Sequence, residues 1–139
     1  MGSPMISAEV VCKAEFYDVD LMQVVWHGNY LKFLEQARSA LMDKIGYNYA
    51  EMIDSGYAWP IVDARLKFVR PVRLGQRITV TATLVEYENR LKVTYLIREN
   101  ETGALVTKAS TVQLAVAATT GELVFQSPTI LIGKVRELL

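Results

Sequence analysis

The segment from residue 29 to residue 46 constrains the fold more than any other, because its apolar residues recur at the spacing of one helical face. Asn29 is a favourable N-cap residue, and Gly46 stands where a helix end favours a left-handed conformation. The pattern therefore predicts one long helix over residues 30–45. Its apolar stripe consists of Tyr30, Phe33, Leu34, Ala37, Leu41 and Ile45.

Strand patterns dominate the remainder of the chain. Residues 8–16 alternate in polarity, whereas residues 18–28 are interrupted by polar side chains and glycine and are predicted to be a loop. The segment "NYAEMIDSG" predicts one short helix that stops at Gly56, and the tail after Pro128 predicts another. The segment "TTGEL" is expected to end the sheet. The further strand-like segments are "IVDARLKFV", "RITVTATLVEY", "LKVTYLIR" and "ALVTKASTVQLAVA".

One long helix and at least four antiparallel strands predict an α+β fold in a single domain over residues 5–139. Residues 1–4 are interpreted as a cloning remnant or a disordered start ahead of Met5. A single helix cannot cover both faces of such a sheet. We therefore expect a curved sheet wrapped around the helix, with a second copy of the chain burying the surface that remains.

Composition argues against several classes of function. Lys plus Arg and Asp plus Glu are 15 each, so the formal net charge is zero, which argues against a nucleic-acid-binding domain. The chain has one cysteine, Cys12, and one histidine, so neither an intrachain disulfide nor a zinc site is expected. No apolar run approaches the roughly 20 residues that span a bilayer. These features predict a cytoplasmic protein that needs no metal or cofactor.

The segment "YDVDLMQVVWHGNYLKFLEQAR" brings two carboxylates and the only histidine close to the predicted helix start. The first amides of a helix are unpaired and lie at the positive end of its dipole, so they suit a developing oxyanion. His27, Gly28 and Asn29 are the predicted donors, and Gly28 would let a ligand approach the backbone closely. With Asp20 as nucleophile or general base, this arrangement predicts acyl transfer.

The same segment resembles the signature of the 4-hydroxybenzoyl-CoA thioesterase group of hot-dog-fold acyl-CoA thioesterases. In that pattern an aromatic residue, Asp, a small residue and Asp are followed by two loop residues, Gly, Val-Val and an aromatic residue or His. Asn-Tyr and a helix ending in Glu-x-Ala-Arg complete the pattern. The resemblance covers most of the chain and continues through "FVRPVRLGQRITV".

The resemblance implies an acyl-CoA thioesterase with a hot-dog fold, assembled as a homodimer or homotetramer with active sites at subunit interfaces. The family's catalytic carboxylate falls on Asp20, and its oxyanion amide falls on His27. The His27 side chain as a proton shuttle is the alternative to its amide. Gln23 stands where the pattern has glycine, so its side chain must point away from the pocket mouth or narrow it.

Several other residues have both a functional and an ordinary interpretation. Trp26, Tyr30 and Trp59 line an acyl or aryl pocket or belong to the core. Glu35 is an alternative catalytic carboxylate, although Arg38 three residues later predicts a helix-surface ion pair. The remaining candidates bind the phosphates of coenzyme A or are solvated surface residues. They are Arg70, Arg73, Arg90 and Lys92.

The preferred hypothesis is an acyl-CoA thioesterase that releases a carboxylate and free coenzyme A. A hot-dog protein that binds or releases an acyl-carrier-protein thioester is the first alternative, since Gln23 indicates a reshaped pocket. A hydratase or dehydratase on the same fold is a further alternative, although the Asp-x-Asp loop is typical of the hydrolytic branch.

Overall fold

The computed structural model describes residues 6–139, so the interpretation of residues 1–4 lies outside the described part of the chain. Helices and strands follow the order β1 (Ser7–Lys13), α1 (Tyr30–Ile45), α2 (Tyr49–Asp54), β2 (Tyr57–Ala58), β3 (Ile61–Phe68), β4 (Arg77–Glu86), β5 (Leu91–Glu99), β6 (Leu105–Gln113), β7 (Ala115–Ala117), β8 (Leu123–Val124) and α3 (Thr129–Leu138). Two single turns of 3-10 helix, Phe16–Asp18 and His27–Asn29, lie between β1 and α1.

The long helix α1 has the predicted bounds, and its apolar stripe is buried together with Met42. It ends at Gly46, whose φ of 84° is a left-handed conformation that glycine adopts without strain. Asn29 differs from the expectation, because its side chain makes no capping hydrogen bond. The 3-10 turn His27–Asn29 leads directly into α1 instead.

Five strands form one antiparallel sheet in the order β1-β4-β5-β6-β3. In β4, every second residue is buried because side chains of a strand alternate between the two faces. α1 packs against the inner face of this sheet, mainly on β1 and β4. The predicted α+β class, with one long helix against a curved antiparallel sheet, is confirmed. The buried residues of β4 are Ile78, Val80, Ala82 and Leu84.

A second sheet of three short strands, in the order β2-β7-β8, corrects the prediction that "TTGEL" ends the strand region. Leu123 and Val124 pair with Val116 and Ala115. The predicted strand over residues 104–117 therefore divides into β6 and β7, which belong to different sheets. Long-range pairing decides this division, and the local polarity pattern carries no signal for it.

Strand β3 forms the edge of the larger sheet opposite β1, and it pairs on one side with β6. Most of its side chains are exposed, among them the apolar Ile61, Val62 and Phe68. A long, exposed, partly apolar edge strand is a template for pairing with another chain unless it is covered.

Two absences bear on membranes and metals. No helix within residues 6–139 is long and apolar enough to cross a bilayer, and that range contains no cluster of three metal-ligating side chains.

Candidate functional site

Asp18 anchors the segment that precedes α1. The residue is buried, with 2% of its surface exposed. Its Oδ2 accepts a hydrogen bond from the Glu15 amide at 2.9 Å, and its Oδ1 pairs with the ammonium group of Lys32 on α1. The Asp18 carbonyl accepts from the Trp26 amide at 3.0 Å and from Asn29 Nδ2 at 2.8 Å. Asp18 therefore ties the loop to the start of the helix.

Asp20 opens a tight turn that projects from this anchored segment. The Asp20 amide donates to the Val24 carbonyl at 3.0 Å, and the Gln23 amide donates to the Asp20 carbonyl at 2.9 Å. Asp20 Oδ1 accepts from the Met22 amide at 2.9 Å, which is the geometry of an Asx turn. No donor within residues 6–139 bonds to Asp20 Oδ2. The exposed carboxylate therefore keeps one oxygen free of partners.

Gln23 closes the turn in a left-handed backbone conformation. Its φ of 60° is the sole positive value at a non-glycine residue in the described range. Its carbonyl accepts a hydrogen bond from the Leu74 amide at 3.0 Å, which fixes the turn against the segment before β4. The glycine of the family pattern therefore suits the left-handed backbone conformation that this position adopts. The exposed Gln23 side chain lines none of the depressions near Asp20.

The 3-10 turn at the start of α1 leaves two backbone amides without an acceptor. Among residues 6–139, no carbonyl or side chain accepts from the amides of His27 and Gly28. The Asn29 amide, in contrast, donates to the Trp26 carbonyl at 2.8 Å. Asn29 is therefore not a free oxyanion donor, which corrects the prediction of three donors, and its side chain serves to hold Asp18.

Asp20 and His27 line the same depression, which we call the Asp20 groove. It has a volume of about 340 Å³ and runs between the projecting turn, the start of α1 and the end of β3. Its floor includes Tyr30, whose ring packs edge-on against Phe68 with centroids 5.0 Å apart. Burial raises the pKa of Tyr30, against a smaller lowering by its hydrogen bond to the backbone of Val72. The groove therefore combines a free carboxylate oxygen with an aromatic floor.

The space beside Gly28 is filled by the side chain of Trp26. A Cβ atom on Gly28 would lie 2.1 Å from the indole ring, so only glycine permits this stacking. The half-exposed ring also packs against His27, with centroids 4.9 Å apart. Trp26 borders none of the described cavities. The space beside Gly28 is therefore occupied by the Trp26 indole, whereas the sequence predicted that a ligand would approach the backbone there.

The four basic candidates for coenzyme A phosphates separate into two groups. Arg70 borders the Asp20 groove, and Arg70 and Arg73 together line an adjoining depression of about 300 Å³. Arg90 and Lys92 lie at the opposite end of β4, about 30 Å away at about 3.3 Å per residue. Arg90 also pairs with Glu86 at 2.6 Å. In one chain, Arg90 and Lys92 are therefore not brought to the site.

Trp59 and Glu35 line a separate cavity, which we call the α1–α2 cavity. Its volume is about 520 Å³. Trp59 is buried, and its Nε1 donates to Tyr47 Oη at 3.1 Å. Glu35 forms the expected ion pair with Arg38, so its carboxylate has a partner. Glu35 thus lies in a different depression from Asp20 within one chain.

Sequence reasoning missed Gln113, the buried polar residue of the α1–α2 cavity, and gave Arg38 only a surface role. Gln113 is 4% exposed and follows a run of small and apolar residues in β6, which gives no local signal of function. Arg38 belongs to the "EQAR" end of the motif, and this place in the motif was the sequence signal that could have indicated more than a surface role.

Comparisons with known proteins agree with this fold. The model of the thioesterase-like superfamily matches residues 14–131. The chain is 30% identical over 105 residues to the "Putative acyl-CoA thioesterase YneP" of Bacillus subtilis, covering 75% of each protein. It is 32% identical over 80 residues to the "Putative esterase sll0410" of Synechocystis, covering 58% of this chain and about half, 48%, of that relative.

A solved structure extends the likeness to nearly the whole chain. The 1,4-dihydroxy-2-naphthoyl-CoA thioesterase Slr0204 from Synechocystis superposes with a TM-score of 0.84 at 21% identity. The match covers 95% of this chain and 97% of that one. The hot-dog fold expected from the sequence is thereby confirmed.

Proposed function

The chain belongs to the thioesterase-like superfamily, and on that premise we propose that it hydrolyses an acyl-CoA thioester to a carboxylate and free coenzyme A. One observation carries the proposal. The Asp20 carboxylate and the start of α1 at His27 line one groove, and the amides of His27 and Gly28 have no acceptor in the described range. A carboxylate beside two fixed, unpaired N–H donors is suited to attack on a carbonyl carbon.

The reaction follows from these groups. Asp20 Oδ2 takes a proton from water as the oxygen of that water attacks the thioester carbonyl, and the amides of His27 and Gly28 bind the resulting oxyanion. When the tetrahedral intermediate collapses, the C–S bond breaks and the coenzyme A thiolate takes up the proton. In the covalent alternative, Asp20 attacks the carbonyl carbon, and the C–S bond breaks to release coenzyme A thiolate and leave a mixed anhydride. Water then hydrolyses the anhydride, which restores the Asp20 carboxylate, releases the acyl carboxylate and supplies the proton that the thiolate takes up. The His27 amide is the proposed donor, and its ring is the alternative as a proton shuttle.

Arg70 and Arg73 are the proposed partners of the coenzyme A phosphates. Both are exposed and line a depression that adjoins the Asp20 groove through Arg70 and Pro71. Guanidinium groups bind phosphates through paired N–H donors, so two adjacent arginines suit a nucleotide phosphate. Acyl-carrier-protein thioesters share the pantetheine arm, and assays on matched acyl-CoA and acyl-carrier-protein substrates separate this alternative.

The proposed enzyme is a homo-oligomer, a dimer or a tetramer, in which β3 pairs with β3 of a second copy. Antiparallel pairing centred on Ala64 places Asp63 of each copy opposite Arg65 of the other, so their charges match across the edge. We also propose the cytoplasmic location that the sequence predicts. An Asp63→Arg variant is expected to dissociate in size-exclusion chromatography, and the Asp63→Arg, Arg65→Asp double variant is expected to reassociate.

The test of the activity is an Asp20→Asn variant assayed on a panel of acyl-CoAs. Because Asp20 is exposed, we expect an unchanged fold and a loss of about 10² or more in kcat. Asp54→Asn, at an exposed position at the end of α2, is the matched control and is expected to retain wild-type rates. A loss of only a fewfold in the Asp20→Asn variant would remove Asp20 from the chemistry.

A further inference from the structure

Asn29 closes the 3-10 turn His27–Asn29, yet its side chain makes no capping hydrogen bond. Its backbone has right-handed helical angles, φ −85° and ψ −12°, whereas an N-cap residue normally has extended ones. The side chain reaches back along the chain instead, and its Nδ2 donates to the Asp18 carbonyl at 2.8 Å. The amide of this side chain therefore serves a purpose other than helix capping.

Asp18, Trp26 and Asn29 form a closed ring of three hydrogen bonds. The Asp18 carbonyl accepts from the Trp26 amide at 3.0 Å and from Asn29 Nδ2 at 2.8 Å, so both of its lone pairs are used. The Trp26 carbonyl accepts from the Asn29 amide at 2.8 Å. Asn29 thus donates twice, and we call this arrangement the Asn29 ring.

The Asn29 ring determines which amides stay free at the start of α1. It uses the amides of Trp26 and Asn29. The two amides between them, those of His27 and Gly28, have no acceptor within residues 6–139. Fixed, unpaired donors bind a developing oxyanion without reorganisation, which is what the proposed reaction requires of His27 and Gly28.

The same ring holds the segment that carries Asp20. Asp18 lies two residues before Asp20, on the first arm of a small hairpin. Val19 on this arm pairs with Val25 on the second arm. The Asp20 amide donates to the Val24 carbonyl at 3.0 Å. The first arm therefore links the Asn29 ring to the Asp20 carboxylate.

The two arms of the hairpin have different anchors. The Val25 amide, on the second arm, donates to the Val72 carbonyl at 2.7 Å, in the segment before β4. The first arm is tied to α1 through Asp18, whose carbonyl accepts from Asn29 and whose carboxylate pairs with the half-exposed Lys32. Of these two ties, the Asn29 bond comes from the turn that presents the proposed oxyanion donors.

We propose that Asn29 is a positioning residue, which fixes the Asp20 carboxylate relative to the two proposed oxyanion amides. This inference rests on the proposed thioesterase function and adds a residue that acts through Asp18, without contact to the substrate. Asparagine suits the role, because its short side chain ends in an amide nitrogen that donates to a carbonyl. Leucine has a similar size but no donor, so the two side chains separate the hydrogen bond from the packing.

The first experiment compares variants on one acyl-CoA that the wild-type protein hydrolyses. Asn29→Ala and Asn29→Leu remove the donor, whereas Asn29→His supplies a ring N–H close to the position of Nδ2. We expect kcat to fall about tenfold or more without the donor and to recover in part in Asn29→His. KM should stay within about twofold, since the groups that bind the substrate are unchanged.

The control for these variants is Lys44→Met, at the opposite end of α1. Lys44 Nζ donates to the Ser7 carbonyl at 2.8 Å, so this variant also removes a bond from a side-chain nitrogen to a backbone carbonyl. Its kcat is expected to equal that of the wild-type protein. The inference would be overturned by an unchanged kcat in Asn29→Ala, or by kcat values that follow the thermal stability of the variants instead of the presence of a donor.

Two inhibitors separate positioning from a general change in the pocket. The ketone of trifluoroacetonyl-CoA adds water to form a tetrahedral centre that resembles the reaction intermediate, whereas 3,3,3-trifluoropropyl-CoA has no carbonyl. Calorimetry should show that Asn29→Ala weakens binding of the first about tenfold and that of the second by less than about twofold. Equal changes for the two inhibitors would contradict the inference.

Hydrogen exchange tests the Asn29 ring without any substrate. The amides of Asp20 and Trp26 are both hydrogen-bonded in the hairpin. Asn29→Ala is expected to speed their exchange by about tenfold or more, and Lys44→Met is expected to leave it unchanged. Wild-type exchange rates in Asn29→Ala would overturn the inference whether or not an acyl-CoA is hydrolysed. A wild-type protein inactive on every acyl-CoA would instead count against the thioesterase proposal.

Discussion

The segment anchored by Asp18 and the turn opened by Asp20 differ sharply, although one residue separates the two carboxylates. Asp18 is buried and pairs with Lys32, whereas the Asp20 side chain is exposed and its carboxylate accepts, within residues 6–139, from the Met22 amide alone. The anchored segment fixes the start of α1, and the turn projects a carboxylate beside that start. The same residue type therefore serves the scaffold in one region and is free for chemistry in the other.

The largest expected effect comes from removing the anchor. Asp18→Ala leaves the Glu15 amide and the Lys32 ammonium without their shared partner, so we expect the free energy of unfolding to fall by about 2–4 kcal/mol. Asp20→Asn should change it by less than about 0.5 kcal/mol while abolishing most of the activity. Urea denaturation of both variants is the measurement. Equal destabilisation of the two variants would show that the two carboxylates contribute equally to stability, which would contradict the division into a scaffold region and a projecting turn.

The second effect concerns the backbone of the projecting turn. Because Gln23 has a φ of 60°, Gln23→Val is expected to destabilise the protein by about 1–2 kcal/mol, since a β-branched residue is strained in that conformation. Gln23→Gly should be neutral or mildly stabilising. Thermal unfolding of the two variants compares them directly. A well-tolerated valine would mean that the turn readily adopts another backbone conformation.

The third effect lies where the two regions join. Gly28→Ala forces the Trp26 indole away, because the new Cβ would lie 2.1 Å from the ring. We expect about a tenfold loss in kcat/KM as the amides of the 3-10 turn shift, a fraction of the 10²–10³ seen when an oxyanion donor is removed. A red shift of Trp26 fluorescence, recorded in a Trp59→Phe background, should accompany this loss.

The control for Gly28→Ala is Gly133→Ala in α3, where a Cβ meets no atom within 4 Å. This substitution is expected to stabilise the helix by about 0.5–1 kcal/mol and to leave the rate unchanged. If Gly28→Ala also left kcat/KM unchanged, the turn at residues 27–29 would have no part in binding the oxyanion.

The smallest expected effect separates the two ends of β4. Arg73→Met should raise KM for an acyl-CoA by about threefold to tenfold through loss of a phosphate contact. The same variant should leave KM for the corresponding acyl-pantetheine unchanged, since that substrate lacks the nucleotide. Arg90→Met, at the opposite end of β4, should alter neither value. A KM effect confined to Arg90→Met would move the nucleotide site to that end of the sheet.

The sequence by itself determined the elements that depend on local periodicity and short motifs. The bounds of α1, the alternation of β4 and the short helix before Gly56 all follow from the spacing of apolar residues and from glycine. The long motif around Asp20 identified the segment that the structure brings to one groove with His27. Each of these features depends on residues that lie close together in the sequence.

Only the tertiary structure decided the features that depend on distant parts of the chain. The separation of Arg90 from Arg73 follows from strand direction, and the partition of β6 from β7 follows from pairing with different strands. The engagement of the Asn29 amide by Trp26 reflects a 3-10 turn that N-cap preference does not distinguish from an α-helical start. Arg38 Nη1 on α1 and Gln113 Oε1 on β6 are buried without a hydrogen-bond partner in the described range, and burial and hydrogen bonding are properties of the packed chain that neither segment carries alone.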